Sequence, residues 1–151
     1  MKHHLLSHYL LVLIAVIFTS WPALAQRTDS LGFRGYLYNK EYDVFMRIDF
    51  YKSLVVIPGQ EVFGTMPGYL SKVNTSYCWM VTSAEFKDDS TAILEMTNDY
   101  GSEDLVAELS QTSDSTFTLL QLKGSTLKVA QNRKWLKLPR ELQFVRRRQK
   151  Q

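Results

Sequence analysis

The residue types that most often do chemistry are thinly spread along this chain. Its three histidines, His3, His4 and His8, all lie in the first eight residues, ahead of an apolar run. Beyond them no imidazole is left to build the usual Ser-His-Asp or Cys-His nucleophile, a His-rich zinc site, or most general bases that work near neutral pH. The lone cysteine, Cys78, stands in Tyr77-Cys78-Trp79-Met80-Val81, which is apolar on both faces of an extended strand. A thiol placed there is expected to be inert, because burial raises its pKa. One cysteine also rules out an intrachain disulfide framework and a multi-cysteine metal site. Paired carboxylates are the surviving catalytic option. Asp88 and Asp89, and the group Asp99, Glu103 and Asp104, are candidates for the acid and base of a glycan hydrolase. Both groups fall in turn sequence, where acids commonly bond to local backbone amides, so hydrolysis stands as the alternative reading.

The same turn, Asn98-Asp99-Tyr100-Gly101-Ser102-Glu103-Asp104, offers oxygen ligands around a glycine. Asn98, Asp99, Glu103 and Asp104 are therefore a weak calcium candidate, although their spacing departs from the helix–loop–helix pattern. The leading expectation is no metal and no cofactor. The seven glycines are scattered singly, and neither dinucleotide nor nucleotide loop spacing occurs. Binding candidates are richer. Phe45 and Tyr51 sit among Glu41, Asp43, Arg47 and Asp49, on the side of their strand that should meet water. Exposed aromatics of this kind stack on sugar rings or anchor protein interfaces. Tyr100 and Trp135 join them, and so does the basic run Arg146-Arg147-Arg148.

The elements that must hold these residues are read from composition and periodicity. The chain has 151 residues, 45% hydrophobic and 22% charged, which is a globular composition and a one-domain length. Residues 1–25 have the form of a secretory signal peptide cleaved after Ala25. Lys2 gives the positive start, Tyr9 to Phe18 the apolar core, and Ala23-Leu24-Ala25 the small-residue cleavage site. That apolar run is about half the ~20 residues a spanning helix needs, so no transmembrane segment is expected after cleavage. Residues 26–145 are expected to form a single β domain and residues 146–151 a basic C-terminal tail. Export with a single cysteine fits a bacterial periplasmic or secreted protein.

Tyr42, Val44, Met46, Ile48 and Phe50 alternate with charged residues, the mark of a strand with one buried face. Strand-like runs recur at Leu31–Tyr38, Ser53–Ile57, Glu61–Thr65, Tyr77–Ala84, Thr91–Thr97, Leu105–Ser110, Thr116–Leu122, Thr126–Val129 and Leu142–Arg146, with turn chemistry such as Pro58-Gly59 and Lys123-Gly124 between them. The fold expected is all-β: a single-domain antiparallel meander of about 8–10 short strands, closed as a small barrel or packed as a sandwich. At most one short helix is expected, over Thr126–Leu138, where Leu127, Ala130, Lys134 and Leu138 fall near helical spacing ahead of Pro139.

In strand number and length the pattern resembles small lipocalin-type or other calycin-like barrels, and the resemblance implies an interior that binds a small apolar ligand. It covers overall pattern only: Gly32-Phe33-Arg34-Gly35-Tyr36 stands where that family has glycine–any–tryptophan.

Charge is unevenly placed. Residues 85–114 hold nine acidic groups against Lys87 alone, and residues 123–151 hold ten basic groups against Glu141 alone. Either the two sets of strands are neighbours whose outer faces pair, or the surface is bipolar with a basic side for an anionic partner. The combined expectation is an exported, non-catalytic binding protein. It would act through an exposed aromatic or charged face on a protein or glycan partner, in the manner of an inhibitor or immunity protein, without binding nucleic acid. The basic tail would add weak contact with an anionic surface.

Overall fold

The computed structural model describes residues 32–148. The segment read as a signal peptide lies outside these residues, as do residues 149–151 of the basic tail. Eight strands make a closed barrel: β1 (Arg34–Asn39), β2 (Val44–Asp49), β5 (Gly68–Lys72), β6 (Cys78–Asp88), β7 (Thr91–Asn98), β8 (Asp104–Gln111), β9 (Thr116–Gly124) and β12 (Glu141–Arg147). Each pairs antiparallel with the barrel strand before and after it in the chain, and β12 returns to β1 to close the ring. Two hairpins interrupt this order without joining the barrel. One is β3 (Val55–Val56) with β4 (Thr65–Met66); the other is β10 (Lys128–Gln131) with β11 (Lys134–Lys137). The fold is thus all-β, and of the barrel and the sandwich it is the barrel.

Alternation decides what faces inward. Val44, Met46 and Ile48 of β2 are buried, while Arg47 between them is exposed. Eight strands enclose an interior just wide enough for side chains to fill. Here Leu37, Met46, Leu70, Trp79, Phe117 and Phe144, all fully buried, join one continuous apolar cluster. The space that a barrel-bound ligand would take is occupied by these side chains. One end is sealed by aromatic rings, Phe33 lying 5.6 Å from both Phe50 and Phe86 and 6.0 Å from Phe117. The opposite end is closed by buried Leu127, Val129 and Leu138, from the β10–β11 hairpin and its flanks.

That hairpin replaces the helix expected over Thr126–Leu138. Helical spacing would put Lys134 on the buried stripe. Extended chain instead buries Leu127 and Val129 on one arm and packs Leu136 and Leu138 on the other. Asn132 and Arg133, both at positive φ (51° and 60°), form the tight turn between the arms.

The strand expected at Glu61–Thr65 is likewise corrected. Gly59 and Gly64, at φ 79° and 73°, bracket a 3-10 turn at Glu61–Phe63. β5 was not legible from alternation, because both of its faces are covered. Leu70 points into the barrel, whereas Tyr69 faces a second apolar cluster on the outside. That cluster comprises Val55, Ile57, Tyr69, Cys78 and Met80, and it is roofed by the β2–β5 connection.

Ring order answers the charge question in two parts: β9, which carries Lys123 of the basic segment, pairs directly with acidic β8, whereas β12 does not. Taken together, the consecutive strands β12, β1 and β2 hold four arginines against Asp49 and Glu141, and β6, β7 and β8, across the barrel from them with β7 opposite β1, hold five acids against Lys87. Lys128 and Glu103 do pair across the two segments, at 2.8 Å, but the barrel surface itself is bipolar.

Candidate functional site: an arginine-lined cleft

The register of β12, β1 and β2 builds one row of outward side chains. Tyr36 on β1 sits between Arg147 on β12 and Arg47 on β2. One step along, Arg34 lies beside Asp49 and is paired to it at 3.4 Å. The chain leaving β2 folds back past this face and brings Leu54, Val55 and Val56 opposite it. Between the two lies an open cleft of about 700 Å³. Arg34, Arg47, Arg146, Arg147 and Arg148 all line it, and Asp49 is the one acid among its lining residues. Asp49 is already committed, since it also accepts a hydrogen bond from the Lys52 N–H at 3.1 Å.

The arginines differ in setting. The Arg147 guanidinium sits over the Tyr38 ring, its carbon 4.3 Å from the ring centroid, a cation–π contact that holds it in place. Arg146 points inward at the sealed end, 5.0 Å from the Phe117 ring, and donates to the Gly32 carbonyl. Its Nε finds no partner among the described residues, and burial disfavours its charge. Arg47 and Arg148 are exposed. Guanidinium forks bind carboxylate, sulfate and phosphate oxygens in pairs, so a face that gathers several of them suits a polyanionic partner.

Of the residues singled out from sequence, Arg146, Arg147 and Arg148 come to this cleft. The first two are strand residues, because β12 runs on through Arg147 into the segment read as tail. Phe45 is not the open aromatic expected. It stacks on Tyr36 at 5.1 Å and meets Tyr69 edge-on at 5.7 Å, half-buried beside the outer cluster under the β2–β5 connection. Tyr51 is more than half exposed, yet its hydroxyl accepts the Phe33 N–H at 3.3 Å and its ring stacks on Phe86 at 5.4 Å. It serves the seal.

Tyr100 and Trp135 lie at the opposite end, both against the Tyr77 ring, at 5.9 and 4.5 Å. Trp135 also carries the Lys128 ammonium 5.2 Å from its ring centroid. Arg34, Arg47, Leu54 and Val56 belong to the cleft and were not singled out. The outward position of Arg47 on an alternating strand was the one signal available for them.

The acidic candidates do not converge. Asp88 and Asp89 lie at one end of β7 and Asp99, Glu103 and Asp104 at the other. At ~3.4 Å per residue β7 holds the two groups more than about 20 Å apart, beyond the ~5–10 Å over which paired carboxylates work. In the calcium-candidate turn the Asn98 side-chain oxygen, Oδ1, accepts from the Ser102 N–H at 2.9 Å, and its side-chain amide nitrogen donates to the Glu103 carboxylate at 3.1 Å. Asp99 is partly desolvated, which lifts its carboxyl above the ordinary range. Among the described residues no group of three or more His, Cys, Asp or Glu stands where it could hold a metal ion.

Cys78 is buried in the outer cluster, and that burial pushes its thiol up to about 12. A thiol reagent at mildly alkaline pH should leave it unmodified in the native protein and label it fully once the chain is unfolded. Rapid labelling of the folded protein would mean that the connection over it opens readily.

Fold and site together define a class: an up-and-down eight-stranded barrel with a filled interior and one arginine-lined outer face. The chain matches no protein-family model, no curated protein and no solved structure, so the functional reading rests on its own residues.

Proposed function

We propose that this chain is an exported, non-catalytic binding protein that holds an anionic partner in the arginine-lined cleft. The anionic groups are carboxylates, sulfates or phosphates carried by a protein or a glycan. The reading is carried by one observation: five arginines from both ends of the chain line a single cleft with Asp49 as its one acid. The bipolar surface adds to it, since acidic strands on the far side would turn the basic side toward an anionic target during encounter. The filled interior favours this outer-face mode over a small apolar ligand held inside. Local partners favour it over the hydrolase, since Asp88 is held by the Ser90 N–H and hydroxyl and Glu103 by Lys128 and the Asn98 amide.

The test is amide NMR titration of the exported chain with poly-glutamate and, separately, with heparin. Saturable shifts confined to Arg34–Tyr36, Arg47–Asp49 and Val145–Arg148, weakening as salt is raised, are the expected result. Shifts spread over the whole surface, or centred on Tyr100 and Trp135, would reject the cleft as the site.

A further inference from the structure

The connection between β2 and β5 exposes more apolar surface than its work as a roof requires. Val55 and Ile57 face down onto the outer cluster. Leu54 and Val56, which alternate with them, face away, are exposed, and line the arginine cleft. At the tip of the same hairpin the 3-10 turn leaves Val62 88% exposed and Phe63 more than half exposed. Single exposed apolar residues are ordinary. Four on one short connection that also walls a basic cleft mark an interaction surface. The tip carries one acid, Glu61, and its carboxylate is turned back onto the Gly59 N–H at 3.0 Å.

Resting on the reading of the cleft as an anion site, we infer that this face docks on a lipid surface bearing anionic headgroups. Arg34, Arg47, Arg147 and Arg148 meet the headgroup phosphates, and Leu54, Val56, Val62 and Phe63 enter the interfacial layer. One feature selects this occupant over a soluble polyanion. A polyanion in water rewards the arginines alone and leaves the apolar side chains without a use, whereas an interface takes both at once. The surface also orients itself: the acidic strands β6 to β8, across the barrel from β1, are repelled by an anionic membrane, so the molecule approaches with β12, β1 and β2 forward.

The experiment is co-sedimentation of the exported chain, beginning at Gln26, with phosphatidylcholine vesicles and with vesicles in which one-third of the lipid is phosphatidylglycerol. Binding is expected to the second alone and to weaken with salt. Arg47→Gln with Arg148→Gln should lower the partition about 25-fold, at ~1 kcal/mol per basic residue. Val62→Ser with Phe63→Ser should lower it roughly tenfold while leaving the circular dichroism spectrum unchanged, since both side chains are outside the core. Brominated lipid should quench Phe63→Trp more strongly than the parent protein. Wild-type partition by the serine variant, with no added quenching of Phe63→Trp, would overturn the lipid inference. Indifference to both vesicles, while poly-glutamate or heparin still shifts the cleft resonances, would also overturn it and leave the proposed function standing. No response to vesicles or to either polyanion would reject both.

Discussion

Trp79→Ala is expected to destabilise the protein by roughly 3–5 kcal/mol, as large aromatic truncations in packed cores do. Trp79 is 0% exposed, on a strand whose first four residues are all buried. Its ring fills barrel interior that no neighbour can enter without breaking a ladder. Its indole Nε1 donates to the Lys128 carbonyl at 3.0 Å, tying β6 to the β10–β11 hairpin that plugs one end. The alanine variant therefore loses packing, opens a void and leaves the Lys128 carbonyl without this donor, and the costs add. Against a total stability of ~5–15 kcal/mol for a domain, that loss runs from about a fifth of the whole to all of it. Urea unfolding followed by circular dichroism measures the loss. A change below about 1 kcal/mol would mean that the hairpin and barrel end relax around the missing ring, and the filled-core description would fail there.

Reversing two charges in the cleft should produce the largest functional effect. Arg47→Glu with Arg147→Glu replaces the two guanidiniums that flank Tyr36 with carboxylates. An anion drawn to the row would then meet like charge at short range, which costs several kcal/mol. A loss of at least about 4 kcal/mol in affinity for heparin, near three orders of magnitude, is expected at low salt. The fold should tolerate the change. Arg47 is exposed, and Arg147 contributes mainly its stacking on Tyr38, worth about 0.5–1 kcal/mol at such a site. Heparin affinity measured with matched unfolding curves separates binding from stability. Affinity within threefold of the parent protein would show that the anion binds elsewhere.

The period-2 alternation of Val44, Met46 and Ile48 against Phe45 and Arg47 was enough to assign the fold class, because a strand with one buried face repeats every second residue whatever it packs on. The same local logic marked Trp79 as core and Cys78 as inert, since apolar residues on both faces of a strand leave no route to water. Where a strand is covered on both faces, as β5 is, alternation disappears and so does the signal. At Glu61–Phe63 and over Thr126–Leu138, two glycines at positive φ and a two-residue turn settled what residue spacing alone misassigned.

The cleft itself belongs to tertiary structure. Arg34 and Arg47 come from the first two strands of the barrel and Arg147 from the last. They meet only because β12 returns to β1 across more than a hundred residues of chain. Nothing in the local sequence of either end states that closure, which follows from the antiparallel meander removing its own edges. For the same reason residue types alone identified Arg147 as basic but not as strand, and identified Phe45 as an outward aromatic but not as one roofed by a later loop. Alternation assigns a side of the strand, and only the packed neighbours decide what lies on that side.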